Sequence, residues 1–298
     1  MGTTAGTPGH VEMLRPWLAG ARPKTLPAAL VPVAVGTALA VPHASAWRAG
    51  CALVVSLALQ VGVNYANDYS DGIRGADADR VGPTRLVASK AASPQAVKRA
   101  ALLSFVIAGV AGLPLAAVAG WWLVGVGAAA MVAAWAYTGG PRPYGYGGLG
   151  ELFVFVFFGL VAVLGTVFVQ AESISAQDLV ASVPVGLVAV ALLVVNNLRD
   201  IDGDRAVGKR TLAVRMGDRN SRLLYATCVI APLALAALLA LWRPWAVIAA
   251  AAGVAALGPL RLVIGGAKGR ELLPALAQTG YYQLLFGALF TLGLWIGA

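Results

Sequence analysis

The sequence predicts an all-α, polytopic membrane protein in which nine transmembrane helices surround a central cavity capped by cytoplasmic loops. Hydrophobic residues make up 59% of the 298 residues and charged residues only 12%, and the mean hydropathy is +0.78. A soluble domain carries about 25% charged residues, so this composition excludes an ordinary globular protein. Apolar runs long enough to cross about 30 Å of hydrocarbon recur along the chain. We place them at 24–41, 49–66, 97–118, 121–138, 151–170, 179–197, 222–242, 245–264 and 272–297.

The distribution of basic residues predicts the orientation in the membrane. With the N-terminus in the cytoplasm, only Arg48 and Arg243 of the 22 Lys and Arg residues fall on the external side. This positive-inside bias predicts a multi-pass protein of the cell membrane, with cytoplasmic site loops and an external C-terminus. The net charge of +9 then follows from topology. Because the basic residues are dispersed over loops, we expect no nucleic-acid partner.

The chain divides into two predicted parts. Residues 1–12 contain no apolar core, so they are predicted to be a disordered N-terminal tail without a removable signal peptide. Residues 13–298 are predicted to form a single transmembrane domain.

Acidic residues are concentrated in two short segments, each at the end of an apolar run. Eight of the nine aspartates lie in these segments or just beyond them. In each segment, polar residues recur at the spacing of one helix face. Because ionisable groups are costly in a membrane, two such faces predict a functional site shared by both halves of the chain. The faces are Asn64, Asn67, Asp68 and Asp71 in the first segment, and Asn196, Asn197, Asp200 and Asp204 in the second.

Several carboxylates around one cavity repel each other unless cations lie between them. Mg²⁺ prefers oxygen ligands and usually combines one or two carboxylates with substrate phosphates. The two faces therefore predict two or three Mg²⁺ ions bridging to a diphosphate, with basic side chains on the remaining phosphate oxygens. The predicted metal ligands are Asn67, Asp71, Asp77, Asn196, Asp200 and Asp204. The candidate phosphate contacts are Arg74, Arg80, Arg85, Arg199, Lys209 and Arg210.

A third informative segment follows the fourth predicted span. Its glycines and prolines predict a tight, non-helical loop. Tyr144 and Tyr146 in this loop are candidates to flank an aromatic substrate, although tyrosines at headgroup level are an alternative interpretation. Glu151 opens the next helix, where the helix dipole favours it. The candidate lining for an apolar substrate tail is Phe153, Phe155, Phe157 and Phe158.

These segments resemble the UbiA superfamily of intramembrane aromatic prenyltransferases over essentially residues 14–297. The family's two Asp-rich motifs match Asn67-Asp68-x-x-Asp71 and Asn196-x-x-x-Asp200-x-x-x-Asp204. Many members carry a third Asp where this chain has Gly75, and Asp77 is displaced by two positions. The strings most similar to the branch that prenylates 1,4-dihydroxy-2-naphthoate are Arg22-Pro-Lys24-Thr-Leu-Pro27, Pro143-Tyr-Gly-Tyr-Gly-Gly-Leu-Gly-Glu151 and Gly208-Lys-Arg-Thr-Leu-Ala213.

The resemblance implies a Mg²⁺-dependent enzyme in the lipid bilayer. It would join a polyprenyl diphosphate to 1,4-dihydroxy-2-naphthoate, releasing diphosphate and CO₂ and forming demethylmenaquinone. The implied catalytic residues are Asp68, Asp71, Asp200, Asp204 and Lys209. The implied substrate contacts are Arg22, Lys24, Asn64, Arg74, Arg80, Arg85, Tyr144, Tyr146, Glu151, Arg199, Lys209 and Arg210. Lys209 and Arg210 could pair either with the diphosphate or with the acceptor's carboxylate.

Other functions remain as alternatives at this point. Within the same superfamily, the acceptor could be another aromatic such as 4-hydroxybenzoate. The motif of CDP-alcohol phosphotransferases is missing, since Asp71-Gly72 is followed by Ile73-Arg74. A membrane cation transporter would place carboxylates near mid-helix on discontinuous helices, whereas these lie at helix ends beside arginines.

Overall fold

The computed structural model describes residues 10–75 and 85–298, and within these ranges all regular secondary structure is helical. The predicted all-α class is therefore confirmed. The candidate site residues Asp77 and Arg80 lie outside these ranges, and so do residues 1–9 of the predicted tail. Helix α1 begins at His10, so the last part of the predicted tail is helical. The helices are α1 (His10–Gly20), α2 (Pro27–Leu39), α3 (Ala46–Ile73), α4 (Pro94–Ala119), α5 (Trp122–Ala136), α6 (Gly150–Val154), α7 (Ala162–Ala171), α8 (Ala176–Arg199), α9 (Ile201–Ala206), α10 (Leu212–Leu239), α11 (Gly253–Ile264) and α12 (Leu273–Ile296).

Every predicted span falls on a helical segment, although not every one of these segments is long and apolar enough to count as a membrane span by itself. In the described ranges, six segments are long and apolar enough to cross a membrane. Helices α2 and α5 are apolar but shorter, and α12 has 24 residues. The chain is thus a multi-pass membrane protein, while the crossing of all nine segments stays a prediction. The six are Ala46–Ile73, Pro94–Ala119, Gly150–Ala171, Ala176–Arg199, Leu212–Leu239 and Pro244–Ile264.

Two of the long helices begin with side-chain caps, as their sequences require. The Ser93 hydroxyl accepts a hydrogen bond from the Ala96 N–H, and Pro94 occupies the first helical position of α4. At α8, Ser175 and Asp178 form a reciprocal capping box, in which the Asp178 carboxylate accepts the Ser175 N–H at 2.7 Å. These caps satisfy backbone donors that the helix itself leaves unpaired.

Helix α8, which carries the second acidic motif, is the most enclosed of the six long spans. It packs against α10, against α12 and against the segment that joins α6 to α7. A Cβ on Gly159 would lie 2.5 Å from the Gly186 Cα, so only a glycine allows these two backbones to meet. Close backbone approach through small residues is the usual way in which membrane helices pack.

The segment that packs on Gly186 is a π-helix, Phe155–Val161, inserted between α6 and α7. Its wider turn changes which side chains face inward. Phe155 contacts Gly186, whereas the consecutive residues Phe157 and Phe158 both line the cavity described below. Single π-turns are often found at functional sites, and here the turn places two aromatic rings on one wall.

Tryptophans mark the end of the helices opposite the acidic motifs. Six of the eight lie near the beginning of α3, of α5 or of the Pro244–Ala252 3₁₀-helix, or near the end of α10 or α12. Each of these six side chains is about half to two-thirds exposed. Exposed tryptophans at one level are typical of the membrane–water interface. They are Trp47, Trp121, Trp122, Trp242, Trp245 and Trp295.

Candidate active site

Both acidic motifs, the loop of Tyr144 and the turn at Lys209 meet at one end of a cavity of about 1490 Å³. Apolar side chains of α2, α3, α4, α5, α7, α8 and the Phe155–Val161 π-helix contribute to the rest of its wall. The predicted site residues that line the cavity are Arg22, Lys24, Asn64, Asn67, Asp68, Asp71, Arg85, Tyr144, Tyr146, Asn196, Arg199, Asp200, Asp204 and Lys209. Three predicted substrate contacts, Arg74, Glu151 and Arg210, do not belong to this lining in the described chain.

Asp71 is the point at which three loops converge. Its carboxylate accepts a 2.6 Å hydrogen bond from the Tyr146 hydroxyl, and the Lys209 ammonium lies 3.1 Å away. The Arg85 guanidinium is 3.9 Å away on the same carboxylate. The Lys209 ammonium also lies 4.7 Å from the centre of the Tyr146 ring, within the range of a cation–π contact. Burial, followed by the Asp71 charge, raises the pKa of Tyr146 above its ordinary value, so the hydroxyl remains a donor.

Asp68 is turned away from that network. It is 1% exposed, and its two carboxylate oxygens accept the backbone N–H groups of Leu86 and Val87 at 2.8 and 3.0 Å. These bonds hold the chain that follows the undescribed stretch 76–84 against α3. The catalytic role implied for Asp68 therefore stays a prediction, whereas its contacts are those of a residue that anchors a loop.

The amides of the first motif are also held by protein groups. The Asn64 side chain donates to the Ala21 carbonyl at 2.9 Å, and the Asn67 Oδ1 accepts the Thr138 hydroxyl at 2.8 Å. Arg74 donates to the carbonyl oxygens of Thr138 and Gly140. Arg74, predicted as a phosphate contact, thus binds the loop that follows α5 and does not belong to the cavity lining.

The second motif lies where α8 ends and the chain turns. Arg199 binds the Asp200 carboxylate through two parallel hydrogen bonds of 2.7 and 2.6 Å. The short helix α9 follows, and the Lys209 N–H donates to the Asp204 carbonyl at 2.8 Å. Gly208 adopts φ +76°, a conformation that favours glycine, and this turn brings Lys209 back to the first motif.

Aromatic rings form one wall of the cavity near the motifs. Tyr144 stacks on Phe153 with centroids 4.0 Å apart, and Phe153 in turn lies 6.0 Å from Phe157. Tyr137 meets the Tyr144 ring edge-on at 5.5 Å. Burial raises the pKa of the Tyr144 hydroxyl, so the ring stays neutral. The wall suits a flat aromatic molecule or an apolar chain.

Glu151 and Arg210 take positions behind the cavity wall. Glu151 is buried and its Oε1 accepts the Asn197 amide N–H at 2.9 Å. The Arg210 backbone N–H donates to the Tyr146 carbonyl at 3.0 Å, while its side chain is exposed. Among the described residues, Glu151 is therefore connected to the cavity lining through Asn197, and Arg210 contributes its backbone to the shape of the site.

Thr25, Gln60 and Thr138 are among the polar residues of the cavity lining that sequence reasoning missed. The Thr25 hydroxyl accepts hydrogen bonds from Gln60 at 2.8 Å and from Asn64 at 3.1 Å. Gln60 could have been found, because it precedes Asn64 by four positions and extends the same polar face of α3. No comparable periodicity points to Thr25 or Thr138.

The carboxylate and amide oxygens at the end of the cavity that carries the acidic motifs are the ligand atoms that Mg²⁺ prefers. In the described ranges, however, no three His, Cys, Asp or Glu side chains are grouped closely enough to hold a metal ion by themselves. A bound Mg²⁺ would therefore share its ligands between one or two of these side chains and a substrate, which is its usual mode with phosphates.

Fold and site together define a class: a multi-pass helical membrane protein with charged motifs at one end of a largely apolar cavity. The sequence pattern of the UbiA prenyltransferase family matches residues 29–271. The chain belongs to this family.

Individual relatives agree. The chain is 50% identical to the 1,4-dihydroxy-2-naphthoate octaprenyltransferase of Mycobacterium tuberculosis over 91% of this chain and 93% of that protein. It is 37% identical to the enzyme of the same name in Escherichia coli, over 97% of this chain and 98% of that one. Its fold is similar to a UbiA homologue from Archaeoglobus fulgidus solved with DMAPP and Mg²⁺. The TM-score is 0.64 at 13% identity, covering 92% of this chain and 99% of that one.

Proposed function

We propose that this protein transfers the polyprenyl group of a polyprenyl diphosphate to 1,4-dihydroxy-2-naphthoate, a step of menaquinone biosynthesis. Relatives that are 37–50% identical over most of the chain bear this activity in their names and support it. The observation that carries the proposal is the cavity itself. Two acidic motifs and Lys209 lie at one end of a cavity of about 1490 Å³, and most of the remaining lining is apolar.

The reaction balances without an oxidant. The bond between the prenyl C1 and the diphosphate oxygen breaks, and a new carbon–carbon bond forms to the electron-rich naphthoate ring. The carboxylate leaves as CO₂, and its bonding electrons remain in the ring. The direct product is therefore the quinol form of demethylmenaquinone. The predicted quinone would need a separate two-electron oxidation.

Asp71, Asp200 and Asp204, with the amide oxygens of Asn67 and Asn196, are the residues that would hold Mg²⁺ together with the diphosphate. Bound there, Mg²⁺ would offset the negative charge that develops on the departing diphosphate. The structure of the Archaeoglobus fulgidus homologue was determined with Mg²⁺ and the prenyl diphosphate DMAPP bound, which supports this use of the site. Asp77 would be a further ligand on sequence grounds alone.

Basic residues on the cavity wall complete the diphosphate site. Lys209, Arg85 and Arg199 line the cavity beside the two motifs and can donate to phosphate oxygens. Of the two roles considered for Lys209, its contact with Asp71 favours the diphosphate role. The exposed side chain of Arg210 takes part in neither role in this proposal. Tyr144 and Phe153 would exclude water from the reacting carbon and flank the acceptor ring.

The membrane arrangement is part of the proposal. We infer nine crossings around the cavity in one domain, with the N-terminus and the acidic loops in the cytoplasm and the C-terminus outside. The positive-inside bias and the ring of exposed tryptophans at the opposite end support it. Cysteines introduced one at a time at residues 140 and 172 should react with an impermeant reagent from opposite sides of the membrane.

Membranes containing the protein provide the decisive assay. Farnesyl diphosphate, Mg²⁺ and either 1,4-dihydroxy-2-naphthoate or 4-hydroxybenzoate are supplied, and diphosphate release and prenylated product are both measured. We expect turnover with the naphthoate only, loss of turnover with EDTA and partial recovery with Mn²⁺. Turnover restricted to 4-hydroxybenzoate would refute the acceptor, and full activity after exhaustive chelation would refute the use of a metal.

A further inference from the structure

Glu151 and Asn197 form a buried pair that joins two distant parts of the chain behind the cavity wall. The Asn197 Nδ2 donates to the Glu151 Oε1 at 2.9 Å, and each residue is 6% exposed. Asn197 lines the cavity, whereas Glu151 does not. In the described part of the chain, Asn197 is the one side chain that hydrogen bonds Glu151. The other carboxylate oxygen, Glu151 Oε2, has no hydrogen-bond partner there.

The hydrogen bond determines which end of the amide faces the cavity. A carboxylate oxygen accepts, so the Asn197 side chain must turn its NH₂ group toward Glu151 and its Oδ1 the other way. No donor among the described residues contacts that Oδ1, and it is not among the buried unpaired atoms. Asn197 therefore presents a carbonyl oxygen to the cavity in a constrained orientation.

The surroundings of this oxygen indicate the kind of group that it binds. Gly150, next to Glu151, lies under the Tyr137 ring, which itself meets Tyr144 edge-on. Asn197 is thus beside the aromatic wall, and the neighbouring Asp200 carboxylate is bound by Arg199. An amide oxygen next to aromatic rings is placed to accept a hydrogen bond from a hydroxyl group on a flat aromatic molecule.

We propose that the Asn197 Oδ1 accepts a hydrogen bond from a phenolic hydroxyl of the acceptor substrate, and that Glu151 is the positioning residue that orients it. This inference rests on the proposed function, since it takes dihydroxynaphthoate as the acceptor. It assigns a binding role to Asn197 and gives Glu151 an indirect one.

The test compares Glu151→Leu, Glu151→Gln and Asn197→Leu in membranes. Leucine removes the acceptor for the amide, whereas glutamine keeps an oxygen that can accept it. We expect Glu151→Leu and Asn197→Leu to raise the KM for dihydroxynaphthoate roughly five- to tenfold, the size of one lost hydrogen bond. The KM for farnesyl diphosphate and the Mg²⁺ concentration for half-maximal rate should stay within about twofold, and Glu151→Gln should resemble wild type.

Tyr225→Phe is the matched control, because it removes one buried hydrogen bond, the 2.7 Å contact with Thr279, at a position outside the cavity lining. It should leave both KM values and the Mg²⁺ concentration for half-maximal rate unchanged.

A second measurement compares ligands. Wild type should bind dihydroxynaphthoate more tightly than at least one of its two monohydroxy analogues, measured as competitive inhibitors. Glu151→Leu should reduce that preference.

Several outcomes would overturn the inference. One is an equal rise in KM for both substrates, and another is a shift confined to the Mg²⁺ requirement. The third is a glutamine variant as impaired as the leucine variant. If wild type itself fails to turn over dihydroxynaphthoate, the proposed function fails as well. Active wild type with unchanged variants contradicts this inference alone.

Discussion

The two acidic motifs look alike in sequence and are used differently in the structure. In the first motif, Asp68 binds two backbone N–H groups and Asp71 binds Tyr146 and Lys209, so both carboxylates tie separate loops to α3. In the second, Asp200 is bound by its own neighbour Arg199 at the break between α8 and α9. The first motif therefore ties separate loops to α3, whereas in the second motif Asp200 pairs with the residue that precedes it in the chain. Equal spacing of similar residues does not imply equal roles.

The largest effects should come from Asp71 and Asp200, one carboxylate of each motif in the cavity lining. We expect Asp71→Ala and Asp200→Ala each to reduce kcat/KM below about a tenth of wild type, a loss of more than ~1.4 kcal/mol. The reason is that both carboxylates are placed to share Mg²⁺ and the diphosphate. Prenyl transfer is measured in membranes after confirming equal insertion of each variant.

Glu172→Gln is the control for a lost carboxylate, since Glu172 pairs with Arg48 at the opposite end of the molecule. It should retain wild-type activity. If Asp71→Ala were impaired and Asp200→Ala were not, the two motifs would differ in chemistry as well as in packing.

Lys209 and Arg210 provide the next comparison, because they are adjacent in sequence and differ in burial. Lys209→Met should raise the KM for the prenyl diphosphate about tenfold, since a charge-assisted contact in the cavity is lost. Arg210→Met should change it less than about twofold, because only the backbone of Arg210 contributes to the site. Equal effects, or a rise confined to the naphthoate KM in Lys209→Met, would reverse our assignment of Lys209 to the diphosphate.

A smaller effect is expected for the hydroxyl that links the Tyr144 loop to the first motif. Tyr146→Phe keeps the ring beside Lys209 and removes one hydrogen bond to Asp71, so kcat/KM should fall roughly fivefold. Because the pKa of Tyr146 is raised, its hydroxyl stays protonated below about pH 10. The ratio of wild-type to variant activity should then be the same at about pH 7 and pH 9. A ratio that approaches one as the pH rises would show that the hydroxyl ionises within this range.

The smallest effect on catalysis is expected at Asp68, where the sequence predicted a catalytic residue. Asp68→Asn leaves one buried N–H without a good acceptor, which should cost about 1–3 kcal/mol of stability. The KM for each substrate should stay near that of wild type. Thermal inactivation in detergent, followed by assay at low temperature, separates the two effects. A variant that is stable but inactive would return Asp68 to the catalytic group and remove the difference between the motifs.

Much of the fold could be predicted because its signals are local. The length and polarity of each apolar run decide whether a segment can cross a bilayer, and every predicted run lies on a helix in the structure. The spacing of Asn67 and Asp71 likewise placed them on one face of α3, and both line the cavity. The second predicted face is interrupted, because α8 ends at Arg199, Asp200 caps it and Asp204 lies in α9, although Asn196, Asp200 and Asp204 still line the cavity. Boundaries were less certain, as at His10, where α1 begins inside the predicted tail.

The partner of each polar side chain could not be predicted, because it depends on contacts between segments distant in sequence. By itself, the sequence determined the membrane class, the helical segments and the acidic face of α3, since these follow from composition and periodicity. Only the tertiary structure decided that Asp68 anchors a loop, that Arg74 binds the loop after α5 and that Glu151 lies behind Asn197. A buried polar group must find a partner, and folding alone determines which group is within reach.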